Sequence, residues 1–161
     1  MFFGRNRIGL LVLAALIAAG PARASGPLPR FASLGSAKVY LRQGPSYKHR
    51  ILWVYHRKGL PVEITAQFDV WRKVRMPDGT AGWIHVAMLS ADRTIVVTAK
   101  GRVAIRAAAR PAAKILALAE PGVVAKLEDC DASACEVDAA GTDGWIDKTN
   151  IWGVRPVEDN H

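Results

Sequence analysis

The chain has 161 residues and a formal charge of +8. A basic chain usually suggests nucleic acid, but the N-terminal residues argue for export, which leaves anionic envelope polymers or lipid headgroups as the partners the charge favours. After the first two dozen residues no segment is apolar enough to span a membrane, which excludes a stable transmembrane segment in the mature chain.

Arg5 and Arg7 form a basic start, followed by an apolar run of 12 residues from Ile8 to Ala19. Gly20-Pro21 breaks the run, and Ala22-Arg23-Ala24 offers a small-residue cleavage site before Ser25. This is the pattern of a secretory signal peptide over residues 1–24, cut between Ala24 and Ser25. A membrane anchor would need about 20 apolar residues. No cysteine follows the cleavage point, which argues against a lipoprotein. The expected product is soluble and either periplasmic or extracellular. Loss of Arg5, Arg7 and Arg23 lowers its charge to +5, divided as +7 over residues 25–98 and −2 over residues 99–161. Such asymmetry points to interaction surfaces, or simply to solvation and attraction between the two halves.

Residues 25–36 are rich in Pro, Gly and Ser and read as an N-terminal arm, with Leu28 and Phe31 as docking side chains. Lys38 to Arg42 alternates and reads as a strand. Gln43-Gly44-Pro45-Ser46 forces a loop. Ile51 to Tyr55 is continuously apolar and reads as a buried strand. Leu60 to Ala66 is the next strand, with Pro61 near its start, where a missing N–H is tolerated. Trp71 to Arg75 and Trp83-Ile84 flank a Pro77-Asp78-Gly79 turn, for which Pro presets φ and Gly supplies the left-handed conformation. Alternation puts Trp71, Lys73 and Arg75 on one face and Arg72 and Val74 on the other. His85 to Leu89 reads as a short 3₁₀ turn, and Thr94 to Thr98 as a strand leading onward.

The pattern then repeats at an offset of 62 to 64 residues. Val103 to Arg106 matches Val39 to Arg42, Ile115 to Leu118 matches Ile51 to Val54, and Gly144-Trp145-Ile146 matches Gly82-Trp83-Ile84. Each unit holds about five short strands with regular turn signals, as in a small sandwich or barrel. The expected boundaries are 37–98 and 99–157. Ala107 to Ala119 could instead be helical on its alanine content, but Pro111 and the match to Gln43 through Tyr55 argue for repeat structure. Trp53, Trp83 and Trp145 are expected in the core.

Cys130 and Cys135 read as a disulfide across a tight hairpin in an oxidising compartment. Zinc would need further ligands that are not evident nearby, and the spacing is not that of a C-x-x-C redox pair.

Val39-Tyr40-Leu41-Arg42-Gln43-Gly44-Pro45-Ser46 resembles the opening of bacterial SH3-like domains. Trp53 to Ile64, Phe68 to Arg75 and Asp78 to His85 resemble one exported tandem branch of that family, common in alphaproteobacteria. The resemblance covers nearly all of the expected mature chain. It implies an all-β chain of two five-stranded SH3-like barrels in tandem. It also implies a binding or scaffolding module of the cell envelope, of a kind often fused to wall hydrolases. The second copy departs from the pattern, with Ala107-Ala108-Ala109-Arg110 replacing R-x-G-P-S and Ala134 replacing tryptophan.

For catalysis the sequence offers little. There is no G-x-S-x-G, and the four histidines, His49, His56, His85 and His161, show no metal spacing. Neither enzyme activity, cofactor nor metal is expected. For binding, aromatic rings stack on sugars or peptide side chains and arginine forks take carboxylates. Tyr40, Arg42, Tyr47, Arg57, Trp71, Arg72 and Arg75 are therefore the candidate ligand residues. The expected partner is a cell-wall polymer, peptidoglycan foremost, or an acidic envelope protein. In the alternative, the acidic second unit docks on the basic first and the chain serves as an adaptor.

Overall fold

Short β-branched and aromatic runs punctuated by Gly, Pro and Asp turns leave this chain little choice but antiparallel sheet. The computed structural model describes residues 26–155. The signal peptide, its Ala24/Ser25 cleavage point, and residues 156–157 at the end of the second expected unit lie outside the described residues. Among those described, no helix is long and apolar enough to cross a membrane.

The first seven strands are β1 (Arg30–Leu34), β2 (Val39–Arg42), β3 (Ile51–Tyr55), β4 (Pro61–Phe68), β5 (Trp71–Arg75), β6 (Ala81–His85) and β7 (Leu89–Ser90). They form one sheet in the order β3-β2-β6-β5-β4-β1-β7. The next seven are β8 (Thr94–Val97), β9 (Val103–Arg106), β10 (Ile115–Ala119), β11 (Val124–Cys130), β12 (Ala134–Asp138), β13 (Asp143–Asp147) and β14 (Ile151–Trp152). They form a second sheet in the order β10-β9-β13-β12-β11-β8-β14, the same order shifted by seven strands. The internal repeat is thus structural, with two more strands per unit than expected. Short 3₁₀ turns at Val86–Met88 and Lys148–Asn150 lead into β7 and β14.

Those additional strands move the expected boundaries. The N-terminal arm contains β1, which pairs with β4 and β7. β8, expected to close the first unit, pairs with β11 and β14 of the second. Sequence adjacency suggested the first unit, but Ile95 and Val97 find their core among Val103, Ile105 and Leu127. The helix considered over Ala107 to Ala119 does not form, and β10 occupies its second half.

Each core follows from alternation. Leu41, Ile64, Val74 and Ile84 point inward in the first unit, as do Ile105, Leu127, Val137 and Ile146 in the second. Trp83 and Trp145 are one residue out of phase with Ile84 and Ile146. They therefore lie half-buried on the outer face, not in the core. Their neighbours Gly82 and Gly144 face inward where β2 and β9 cross. A Cβ on Gly82 would lie 2.6 Å from Leu41 Cγ and 2.8 Å from the Arg42 carbonyl oxygen. On Gly144 it would lie 2.6 Å from Ile105 Cγ2 and 2.8 Å from the Arg106 oxygen. The repeated Gly-Trp-Ile thus records a backbone crossing that admits no side chain.

β3 is not the buried strand its composition suggested. It ends its sheet, paired only with β2, and Trp53 is 60% exposed. The Pro77-Asp78-Gly79 turn forms as expected, with Gly79 at φ +86°. Cys130 and Cys135 are directly opposite on β11 and β12 and are joined by a disulfide. Asp131 accepts hydrogen bonds from the Ser133 and Ala134 amides across the intervening turn, which holds its carboxyl below the usual value.

The two units meet along β1, β8 and β14. Thr94 Oγ1 donates to the Gly59 carbonyl at 2.7 Å, Arg57 donates to the Gly122 carbonyl, and Phe31 packs against Trp152. None of these three contacts is an acidic–basic pair.

Candidate ligand-binding face

The loop Gln43 to Arg50 between β2 and β3 is folded back by its own side chains. Arg42 Nη1 donates to the carbonyls of Tyr47 at 3.1 Å and His49 at 2.9 Å. Arg50 Nε donates to Gln43 Oε1 at 3.0 Å, closing the loop neck. The His49 ring fills the space over Gly44, where a Cβ would come within 2.4 Å. The result delivers Tyr47 onto the outer face of the sheet.

There Tyr47 meets two rings that the β5–β6 hairpin has already paired. Trp71 and His85 are directly opposite in the register, with ring centroids 5.4 Å apart at 85°. Tyr47 stands edge-on to Trp71 at 5.0 Å and nearly parallel to His85 at 5.8 Å. This cover explains why Trp71 is only 5% exposed although it points away from the core, while Tyr47 remains 68% exposed. His85 Nδ1 accepts the Ala87 amide at 3.2 Å, so neutral His85 carries its proton on Nε2. The Arg42 guanidinium lies 5.9 Å from the Tyr40 ring centre and 5.4 Å from that of Tyr47. Lys38 Nζ approaches Tyr40 at 5.3 Å.

Four of the seven candidates, Tyr40, Arg42, Tyr47 and Trp71, are thereby brought together, and three are not. Arg72 alternates to the opposite face of β5 and ties down its hairpin, donating from Nη1 to the carbonyls of Asp69 at 2.8 Å and Trp71 at 2.9 Å. Arg75 is paired with Glu63 at 2.6 Å across β4–β5 and lies 6.0 Å from the Trp152 ring. Arg57 is drawn to Gly122 of the second unit. His85 is the residue that sequence reasoning missed. The signal was present, since counting outward from the turn at Asp78 sets Trp71 opposite His85.

The second unit keeps the scaffold but lacks the rings. Arg106 Nη1 donates to the Ala113 carbonyl at 3.2 Å, as Arg42 does to its own loop. Trp145 sits opposite Arg106 as Trp83 sits opposite Arg42. Ala104 takes the place of Tyr40, and the Trp71–His85 pair becomes Ala134–Asp147. Such a cluster offers stacking surface and cation–π contacts to a ligand. Among the described residues no group of three or more His, Cys, Asp or Glu converges as a metal site would.

The family model described as bacterial SH3 domain matches the chain twice, over residues 35–91 and 99–153. No curated protein matches it. Among solved structures, NlpC2 from Trichomonas vaginalis aligns at 14% identity and a TM-score of 0.38, covering 82% of this chain and 51% of that one. An NlpC/P60 family protein from Bacillus cereus aligns at 13% identity and a TM-score of 0.34, covering 78% and 56%. The chain spans about half the length of the structures it matches.

Proposed function

The chain belongs to the bacterial SH3 domain family, and we propose that it is a non-catalytic, exported binding protein of the cell envelope. Its ligand is peptidoglycan or an acidic envelope partner, held by the first repeat. The observation that carries this reading is the ring cluster of Tyr47, Trp71 and His85 with Arg42 between two tyrosines, present in one repeat and replaced in the other by Ala104, Ala134 and Asp147. The second repeat forms the same sheet without these rings. The positive charge of the first half supports an anionic ligand, and the disulfide suits an oxidising compartment.

Co-sedimentation of residues 25–161 with purified sacculi tests this. The wild type is expected to pellet at low salt and less at high salt, since exposed charges are screened within about 10 Å at 0.1 M salt. Tyr47→Ala removes an exposed ring without opening the core and is expected to weaken binding about tenfold. Equal recovery of wild type and Tyr47→Ala in the supernatant would sink the wall-binding reading.

A second reading has its own support. The packing of Phe31 on Trp152 and the Thr94–Gly59 hydrogen bond suit an adaptor whose docked repeats present one rigid surface to a protein partner only.

A further inference from the structure

The residues around β3 carry a basic triplet on each side: Lys48-His49-Arg50, then Ile51-Leu52-Trp53-Val54-Tyr55, then His56-Arg57-Lys58, with no carboxylate among them. β3 pairs with β2 alone, so its other edge presents backbone N–H and C=O groups. Ile51, Leu52 and Trp53 are 43%, 37% and 60% exposed, and the basic triplets on both sides are exposed as well. Soluble proteins usually blunt such an edge. Here a register shift sets off Leu52, while Trp53-Val54-Tyr55 remains in regular pairing.

We propose that the free edge of β3 takes up an extended protein segment with an apolar centre and carboxylates at both ends, added as a further strand of the first sheet. Main-chain hydrogen bonds along the edge would supply affinity, and alternate side chains would meet Trp53 and Tyr55 on one face and Val54 on the other. A five-residue strand spans about 17 Å, so the segment's two acidic ends would fall against the two basic triplets. Arg50 and Arg57 each commit a donor within the chain, to Gln43 and Gly122. Lys48 and Lys58 are then the principal partners for the carboxylates.

The same charges argue against other occupants. Because each flank holds one Lys, one Arg and one His, with the lysines at the outer ends, a second copy pairing edge to edge would set basic residues against basic residues in either direction, and like charges directly opposite are destabilising. A membrane surface takes up one apolar face, whereas these side chains alternate between both faces of a single strand. β10, the equivalent edge, also exposes Ile115, Leu116 and Leu118. It is flanked by Lys114 and Glu120 and so lacks the matched cationic ends.

The test uses residues 25–161, which contain every described residue, and a fluorescent peptide, Asp-Glu-Val-Thr-Val-Thr-Val-Glu-Asp, followed by anisotropy. Two further peptides carry N-methyl groups, one on a single alternate set of residues and one on both sets. The expected result is that methylating both sets abolishes binding, because whichever peptide edge faces β3 has then lost its N–H donors. Lys48→Glu/Lys58→Glu should weaken binding about tenfold. Equal binding of all three peptides, or no binding of the unmodified peptide, overturns the proposal. So does self-association through β3 in sedimentation, or uptake by phosphatidylglycerol vesicles that Trp53→Ser abolishes while the peptide stays unbound.

Discussion

Trp152 and Phe31 meet edge to face, with ring centroids 5.0 Å apart and planes at 87°. A residue from the last described strand thus closes over one from the first, and Phe31 is left 7% exposed. Arg93 approaches the Phe31 ring at 5.6 Å, and Arg75 approaches that of Trp152 at 6.0 Å. Neighbouring repeats that share such a seam should unfold together.

Trp152→Ala should therefore lower stability by about 3 kcal/mol and separate one unfolding transition into two. Combined with Phe31→Ala in a double-mutant cycle, it should return a coupling of about 1 kcal/mol. High salt should leave that coupling unchanged, because the contact is between rings. Strictly additive losses would mean the rings touch without stabilising the seam.

The two glycines under the strand crossings should tolerate nothing larger. Gly82→Ala and Gly144→Ala each place a Cβ 2.8 Å from a backbone oxygen and should cost at least about 2 kcal/mol in urea denaturation. Gly79→Ala meets nothing within 4 Å and should cost about 1 kcal/mol, from its left-handed backbone alone. Equal costs at Gly79 and Gly82 would contradict the crossing argument.

Replacing Cys130 and Cys135 by serine opens a short loop and should destabilise the protein by about 2 kcal/mol. The loss should be local. Hydrogen exchange should accelerate across β11 and β12, while the equivalent β4–β5 hairpin, which turns at Asp69 in a left-handed conformation, keeps its protection.

Tyr55 supplies a pH dependence at the alkaline end. Burial, then the Asp78 carboxylate, push its hydroxyl from 10.0 up to about 12, against a hydrogen bond with Thr80 that lowers it. The unfolded chain loses this proton first, so the contribution to stability is complete below pH 10.0 and is lost as pH rises toward about 12. Denaturation on either side of pH 10.0 should show a decline that Tyr55→Phe reduces. An identical decline in the variant would assign it to other groups.

Half of the candidate face is legible in the sequence. The Pro77-Asp78-Gly79 turn fixes the β5–β6 register, and that register sets Trp71 opposite His85. Alternation alone already separated Trp71 from Arg72. The remaining cations were less readable. Arg57, Arg72 and Arg75 look alike as basic residues near aromatics, yet their donors go to Gly122, to a hairpin turn and to Glu63. A continuous apolar run reads the same at the centre of a sheet as at its edge, so the sequence places Trp53 in the core where the structure exposes it.

The sequence by itself determined the all-β class, the tandem repeat, the main turns and the cysteine pair. These depend on period-two alternation, on residues able to adopt turn conformations and on neighbours a few positions apart. Only the tertiary structure decided that β8 joins the second sheet, that β3 stands at an open edge, that Tyr47 folds onto Trp71, and that Trp152 covers Phe31. Each of these depends on which distant surface offers the better burial or the nearer carbonyl, and contacts between residues far apart in the chain leave no local mark on it.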